Sequence, residues 1–91
     1  MPGQAQWNMA AVMGVTVTGP CWQSVYGTGG DDTHTCLDKE EVEPCTAKVR
    51  FLNGTKVTYT FTCTAVEANA GKVRRVGNDL FIENFDTEDW S

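Results

Sequence analysis

Four cysteines are the residues whose spacing most restricts the chemistry of this chain. Cys21, Cys36, Cys45 and Cys63 are separated by 14, 8 and 17 residues, whereas a closed zinc site usually takes its ligands from close C-x2-C pairs. An even number of widely spaced cysteines in a short chain is typical of disulfides formed in an oxidising compartment. We therefore predict two disulfides, a secreted protein and no bound metal.

Catalytic residues are scarce among the remaining side chains. His34 is the only histidine, and Ser24 and Ser91 are the only serines, so a hydrolytic triad would need one of them beside the imidazole and a carboxylate. The twelve acidic residues offer carboxylate pairs of the kind that cleave glycosides. A domain this small, however, has little room for a deep, desolvated cleft. We predict no enzymatic activity and no cofactor.

Two short polar motifs could each serve a chemical function or simply form a turn. The segment 31–34 (DDTH) carries oxygen and imidazole ligands, but it lacks the Asp/Asn alternation and terminal Glu of a calcium loop. A polar turn is the preferred interpretation. Asn53-Gly54-Thr55 is an N-glycosylation acceptor and equally a turn sequence. Asn53 is a predicted glycosylation site, with the turn as its alternative.

Aromatic and acidic residues alternate near residue 90. Phe85 and Trp90 lie among the carboxylates of Asp86, Glu88 and Asp89. Rings of this kind anchor in apolar pockets, while the charges steer the approach of a basic surface. In composition this segment resembles the acidic-aromatic tails of protease inhibitors from blood-feeding animals. We predict that it binds a partner; the alternative is that the rings pack on the core.

A second candidate surface begins at the first cysteine. Trp22 and Tyr26 follow Cys21 closely, and rigid aromatic side chains beside a disulfide-fixed loop lose little entropy on binding. Both are predicted partner-binding residues. Here too, the alternative is that they belong to the core.

Charge and length narrow the classes of partner. The 91 residues, 41% of them hydrophobic, suit one domain over 1–91. Six of the seven basic residues lie between positions 48 and 75, but the chain carries a net charge of −5, which disfavours nucleic acid because phosphate neutralisation drives such binding. The apolar stretch 9–17 is too short to span a bilayer. We predict a monomer that binds a protein with a basic patch and does not insert into membranes.

Alternating hydrophobicity predicts the elements that hold these residues. Turn residues separate about six short strands, at residues 10–18, 22–26, 47–51, 57–65, 72–76 and 80–84. This pattern indicates an all-β fold, a small antiparallel sandwich or barrel. Residues 26–35 are predicted to form a flexible loop, residues 37–43 one helical turn, and residues 1–8 and 86–91 flexible ends.

The clearest local signal is a hairpin around Asn53-Gly54. A two-residue loop would set apolar positions of one strand opposite polar positions of the other, which the pleat disfavours. A bulged turn with Gly54 in the left-handed region restores the match, and we predict it. The same alternation puts Cys45 and Cys63 on one face. It therefore favours Cys45–Cys63 and Cys21–Cys36 among the three possible connectivities.

The outline of a β-rich chain with four cysteines resembles many fungal effectors, arthropod salivary proteins and small hydrolase inhibitors, without a motif specific to any of them. The leading hypothesis is a secreted protein that binds and blocks or sequesters a protein partner. One alternative is a module that binds a carbohydrate or apolar ligand through Trp7, Trp22 or Tyr26. Another is a structural domain of a larger extracellular protein.

Overall fold

The structure is a computed structural model that describes residues 3–19, 22–27, 30–35, 43–63 and 73–90. Within these ranges the chain forms nine strands and one short 3-10 turn. They are β1 (Gly3–Asn8), the 3-10 turn (Met9–Ala11), β2 (Val12–Gly19), β3 (Trp22–Gly27), β4 (Gly30–Thr35), β5 (Glu43–Phe51), β6 (Lys56–Cys63), β7 (Val73–Val76), β8 (Asp79–Phe85) and β9 (Thr87–Trp90). The all-β prediction is confirmed, but six strands was too few.

The strands form two antiparallel sheets. One has six strands in the order β4-β3-β2-β5-β6-β9, and the other has three in the order β1-β8-β7. Alternate residues of both sheets meet in one hydrophobic core, which contains Val15, Val49, Tyr59, Leu80 and Ile82 among others. Burial of these side chains, at about 25 cal/mol per Å² of apolar surface, is what holds the sheets together.

The turn predicted between β5 and β6 is confirmed. Val49 lies opposite Val57, so apolar residues face apolar residues across the pair. The Phe51 carbonyl accepts a hydrogen bond from the Gly54 amide at 3.0 Å, and the Phe51 amide donates one to the Thr55 carbonyl at 2.9 Å. Gly54 has a φ of 91°, as a bulged three-residue loop requires.

A bulge at Asn84 changes which face of β8 is buried. Leu80 and Ile82 face the core, and strict alternation would place residue 84 there next. Asn84 instead adopts a φ of 58°, and the β1–β8 register shifts between Gly3 and Gln4. Asn tolerates this left-handed conformation better than most residues. As a result Phe85, rather than residue 84, packs inside.

Three predicted irregular segments differ from the structure. Residues Gly30–Thr35, predicted as flexible loop, form β4 and pair with β3. The predicted flexible ends contain β1, paired with β8, and β9, paired with β6. Strands β4 and β9 carry few apolar residues, so hydrophobic alternation does not reveal them, whereas β1 alternates Ala5 and Trp7 with Gln4 and Gln6. Of the predicted helical turn at 37–43, residues 37–42 lie outside the described ranges and Glu43 begins β5.

The part of the chain that the structure describes contains no helix long and apolar enough to cross a membrane.

Candidate partner-binding edge

Strand β9 is one edge of the six-stranded sheet. It pairs with β6, placing Trp90 opposite Val57 and Glu88 opposite Tyr59. All four of its residues are exposed, and no other described strand pairs with its outer side. We call Thr87–Trp90 the β9 edge. It contains Trp90, Glu88 and Asp89, three of the residues predicted to bind a partner.

Trp90 packs against two other aromatic rings, Phe51 and Trp7. Its ring stacks on Phe51 with centroids 6.2 Å apart and an interplanar angle of 11°. Trp7, from β1 of the other sheet, meets both rings edge-on, at 4.9 Å from Phe51 and 6.3 Å from Trp90. These separations are in the range where aromatic pairs attract each other. Trp90 is nevertheless 58% exposed, so the cluster holds the ring while leaving much of it accessible.

Tyr59 anchors this cluster in the core. Its side chain is fully buried, and its hydroxyl accepts a hydrogen bond from Trp7 Nε1 at 3.0 Å. Burial raises the pKa of Tyr59 to about 12 because the phenolate would be desolvated; the Trp7 bond opposes this rise, and the Glu88 carboxylate adds to it. The phenol is therefore neutral at physiological pH. Trp7 is fixed by its bond to Tyr59 and acts as a support for Trp90.

The acids of the β9 edge point in two directions. Glu88 lies on the same face as Trp90, and its Oε1 accepts a hydrogen bond from Trp90 Nε1 at 2.5 Å. Asp89 lies on the opposite face, across from Thr58, and no ion pair joins it to any described residue. An extended segment lying along this edge would meet a carboxylate on each face of the sheet.

Backbone groups of the same strand point outward. The Thr60 carbonyl accepts from the Asp86 amide at 2.6 Å, which shows that the even-numbered residues of β6 direct their hydrogen bonds towards β9. Because ladder bonds alternate along an antiparallel strand, Thr87 and Asp89 bond to β6. The amides and carbonyls of Glu88 and Trp90 therefore face away from the sheet, where another strand can reach them.

Two predicted binding residues have structural contacts. Phe85 is only 9% exposed and packs against Tyr59 with centroids 4.7 Å apart, as in the alternative in which the rings pack on the core; partner binding by Phe85 stays a prediction. Asp86 accepts hydrogen bonds from the Thr62 amide at 3.1 Å and the Thr62 hydroxyl at 3.4 Å. Its carboxylate fixes the bend between β8 and β9.

The second predicted surface is not assembled with the first. Tyr26 is half-buried against the core, and its hydroxyl donates to the Val73 carbonyl at 3.3 Å. It therefore links the two sheets, on β3 rather than at the β9 edge. The Trp22 side chain lies outside the described part of the structure, so its predicted role stays a prediction.

The remaining chemical motifs are placed only in part. Asn53 is exposed at the hairpin tip, and its Oδ1 accepts from the Thr55 amide at 3.0 Å and the Thr55 hydroxyl at 2.7 Å. The motif therefore forms the turn that was given as its alternative, and glycosylation of Asn53 stays a prediction. Side chains of 31–34 are not described. Among those that are, no three His, Cys, Asp or Glu residues form a group that could hold a metal ion.

The sequence does not predict that Phe51 and Trp7 support Trp90. Residues 1–8 are predicted as a flexible end, although Trp7 is also a candidate ligand-binding residue. Their signal was present, since Ala5 and Trp7 alternate with Gln4 and Gln6, as expected for a strand with one buried face. Comparisons of the chain with family models, with curated proteins and with solved structures found no match.

Proposed function

We propose that this chain is a binding protein that recognises an extended, basic segment of a protein partner at its β9 edge. The partner would add a strand next to β9, with its backbone bonding to Glu88 and Trp90. This is a common mode of peptide recognition, in which main-chain bonds give affinity and side chains give specificity. The observation that carries the proposal is a sheet edge with which no other described strand pairs. It combines outward backbone groups, two carboxylates and a supported, 58% exposed tryptophan.

The carboxylates also argue for the sign of the partner's charge. Short, charged edge strands commonly protect a sheet from pairing with copies of itself, and a second β9 would bring Glu88 and Asp89 close to identical acids. Like charges directly opposite each other are destabilising, whereas opposite charges stabilise the pair. A lysine- or arginine-bearing strand is therefore favoured, and self-association through this edge is disfavoured. This supports a monomer.

A synthetic peptide of alternating lysine and valine tests the proposal. On binding, the Glu88 and Trp90 amides should gain protection from hydrogen exchange, because they become hydrogen-bonded; Thr87 and Asp89 should change little. A peptide of the same sequence with N-methylated backbone amides keeps the charge but cannot pair as a strand. Equal binding of both peptides would show general attraction to an acidic protein and would refute strand addition.

Matched variants locate the site. Trp90→Ala and Glu88→Gln should weaken binding of the lysine-valine peptide. Val76→Ala is the control for an exposed apolar residue, since Val76 is 54% exposed on the other sheet, and Glu83→Gln is the control for the charge. If Trp90→Ala bound the lysine-valine peptide as tightly as wild type, the β9 edge would be excluded as the binding site.

The exposed ring of Trp90 favours a second candidate, a carbohydrate ligand stacked on the aromatic cluster. Sugars pack their apolar faces on such rings, and Phe51 and Trp7 would hold the platform in place. A glycan array with wild-type protein and Trp90→Ala tests it. Retention of a neutral glycan that depends on Trp90, without binding of the basic peptide, would favour this function over the first.

The proposal includes a secreted protein with two disulfides. Cys45 is fully buried, and the described residues contain no free cysteine. The register places Cys45 opposite Phe61 and Cys63 opposite Glu43, so the two positions are one diagonal step apart. Their pairing and that of Cys21 with Cys36 are proposals. Mass spectrometry of a non-reduced digest would identify the linked peptides, and alkylation of any cysteine before reduction would contradict the framework.

A further inference from the structure

Three basic residues lie together on the outer face of the six-stranded sheet, opposite to the face that carries Trp90. Lys48 and Arg50 are two residues apart on β5, and Lys56 lies directly across from Arg50 on β6. All three are exposed. Neighbouring strands are about 4.8 Å apart and alternate residues about 6.7 Å apart along a strand, so the three charges fall within one small area. We call these residues the cationic strip.

The cationic strip lacks internal charge compensation. Within the described residues none of its members makes a hydrogen bond or an ion pair. In contrast, Arg74 on the other sheet pairs with Glu83 at 2.8 Å. Like charges directly opposite each other on adjacent strands destabilise the pair, as is the case for Arg50 and Lys56. An anion bound between them would remove this repulsion.

The sheet provides a shallow receptacle for such an anion. A depression of about 300 Å³ is lined by the cationic strip together with Val49, Val57 and Thr58. Arg50 lies over Gly14, its Nη2 only 3.4 Å from where a Cβ would stand, so the absence of a side chain lets the guanidinium approach the sheet. A guanidinium presents its donors in a planar fork that suits the oxygens of sulfate and phosphate groups.

Threonine hydroxyls extend the surface beside the charges. Thr18, Thr46, Thr60 and Thr87 lie opposite one another in a row across four strands. Hydroxyls donate to and accept from the hydroxyl groups of a sugar. On this face the described side chains include no aromatic ring on which nucleobases could stack, and such stacking is a main source of affinity for single-stranded nucleic acids.

We propose that the cationic strip is a binding site for the sulfate groups of an acidic polysaccharide, with the threonine row contacting the sugar. The site goes beyond the proposed function of the β9 edge. Trp90 and Glu88 lie on the opposite face of β6, whereas Thr87 and Asp89 lie on the same face as the cationic strip.

Heparin serves as the probe, with chemically desulfated heparin and duplex DNA as comparison ligands. At low ionic strength heparin should bind, and desulfated heparin and DNA should bind at least about tenfold more weakly, as expected when charge-assisted hydrogen bonds are lost or poorly placed. Added salt should weaken the heparin complex. No heparin binding, or equal binding of either comparison ligand, would overturn the proposal; preference for DNA would identify a nucleic-acid surface instead.

The variant Lys56→Glu distinguishes a role of Lys56 in heparin binding from a role in stability alone. It converts the repulsive pair with Arg50 into an attractive one, so the melting temperature should rise or stay unchanged while heparin affinity falls at least about tenfold. Arg74→Gln removes a positive charge from the other sheet and should leave heparin binding within about twofold. Heparin affinity that is retained in Lys56→Glu, or lost equally in Arg74→Gln, would refute the assignment.

Discussion

The buried phenol of Tyr59 predicts a specific loss of stability in alkaline solution. Folding raises the pKa of Tyr59 from 10.0 to about 12, so the native state disfavours the phenolate. A group whose pKa is higher in the folded state contributes stability below its unfolded pKa, and this contribution disappears as the pH passes through the folded pKa. The free energy of unfolding should therefore be insensitive to Tyr59 up to about pH 10 and should fall between about pH 10 and 12.

The size of this loss follows from the shift. Each unit of pKa difference corresponds to about 1.4 kcal/mol, so ionisation of Tyr59 should remove about 2–3 kcal/mol. Because Tyr59 is fully buried, little solvent screening reduces the effect. The loss is large compared with the 5–15 kcal/mol stability typical of a domain.

Urea unfolding at a series of pH values, for wild type and Tyr59→Phe, measures the loss directly. Tyr59→Phe should lose this part of the alkaline dependence, although at neutral pH it should be about 1–3 kcal/mol less stable because Trp7 Nε1 loses its acceptor. Tyr26→Phe is the control and should keep the alkaline loss. If wild type and Tyr59→Phe lost the same free energy between about pH 10 and 12, the burial argument would be wrong.

Further variants test the fold by chemical denaturation. Gly54→Ala should cost about 1–2 kcal/mol, because a φ of 91° disfavours any Cβ although no atom lies within 4 Å of it; an unchanged midpoint would contradict the bulged turn. Phe61→Ala should cost about 3–5 kcal/mol, since the ring is fully buried. Arg74→Gln should change stability by less than about 1 kcal/mol, because its ion pair with Glu83 is 51% and 33% exposed; a larger loss would show a role beyond that pair.

The parts of the fold that followed from the sequence are those in which each strand buries one face. In the β5–β6 hairpin, alternation at Val49 and Val57 determined both the register and the form of the turn, because a one-residue slip would have exposed the whole apolar set. The strand β4, in contrast, contains no apolar residue. Its backbone pairs with β3, and the pattern of apolar residues does not predict pairing of this kind.

Composition predicts Trp90, Glu88 and Asp89 as candidate binding residues, but not that they form an edge strand. The acids and Trp90 were identified by composition, yet the same reasoning included Phe85. The difference comes from Asn84, whose left-handed conformation turns Phe85 into the core and lets Asp86 bend the chain onto β6. Asn is one of the few non-glycine residues that tolerate this conformation, but tolerance alone does not locate a bulge.

The centres of the two proposed surfaces, Trp90 and the cationic strip, lie on opposite faces of β6. Odd-numbered residues of β6, such as Val57 and Tyr59, face the core and the Trp90 cluster, while Lys56 and Thr58 face the outer surface. Asp89 and Thr87 of the β9 edge lie on the outer face beside Thr58 and Thr60, so the two surfaces meet there. A basic peptide held mainly by Trp90 and Glu88 and an acidic polysaccharide at the cationic strip should nevertheless bind the same molecule together. Competition between them would mean that the peptide contacts the polysaccharide, or that both ligands share one surface.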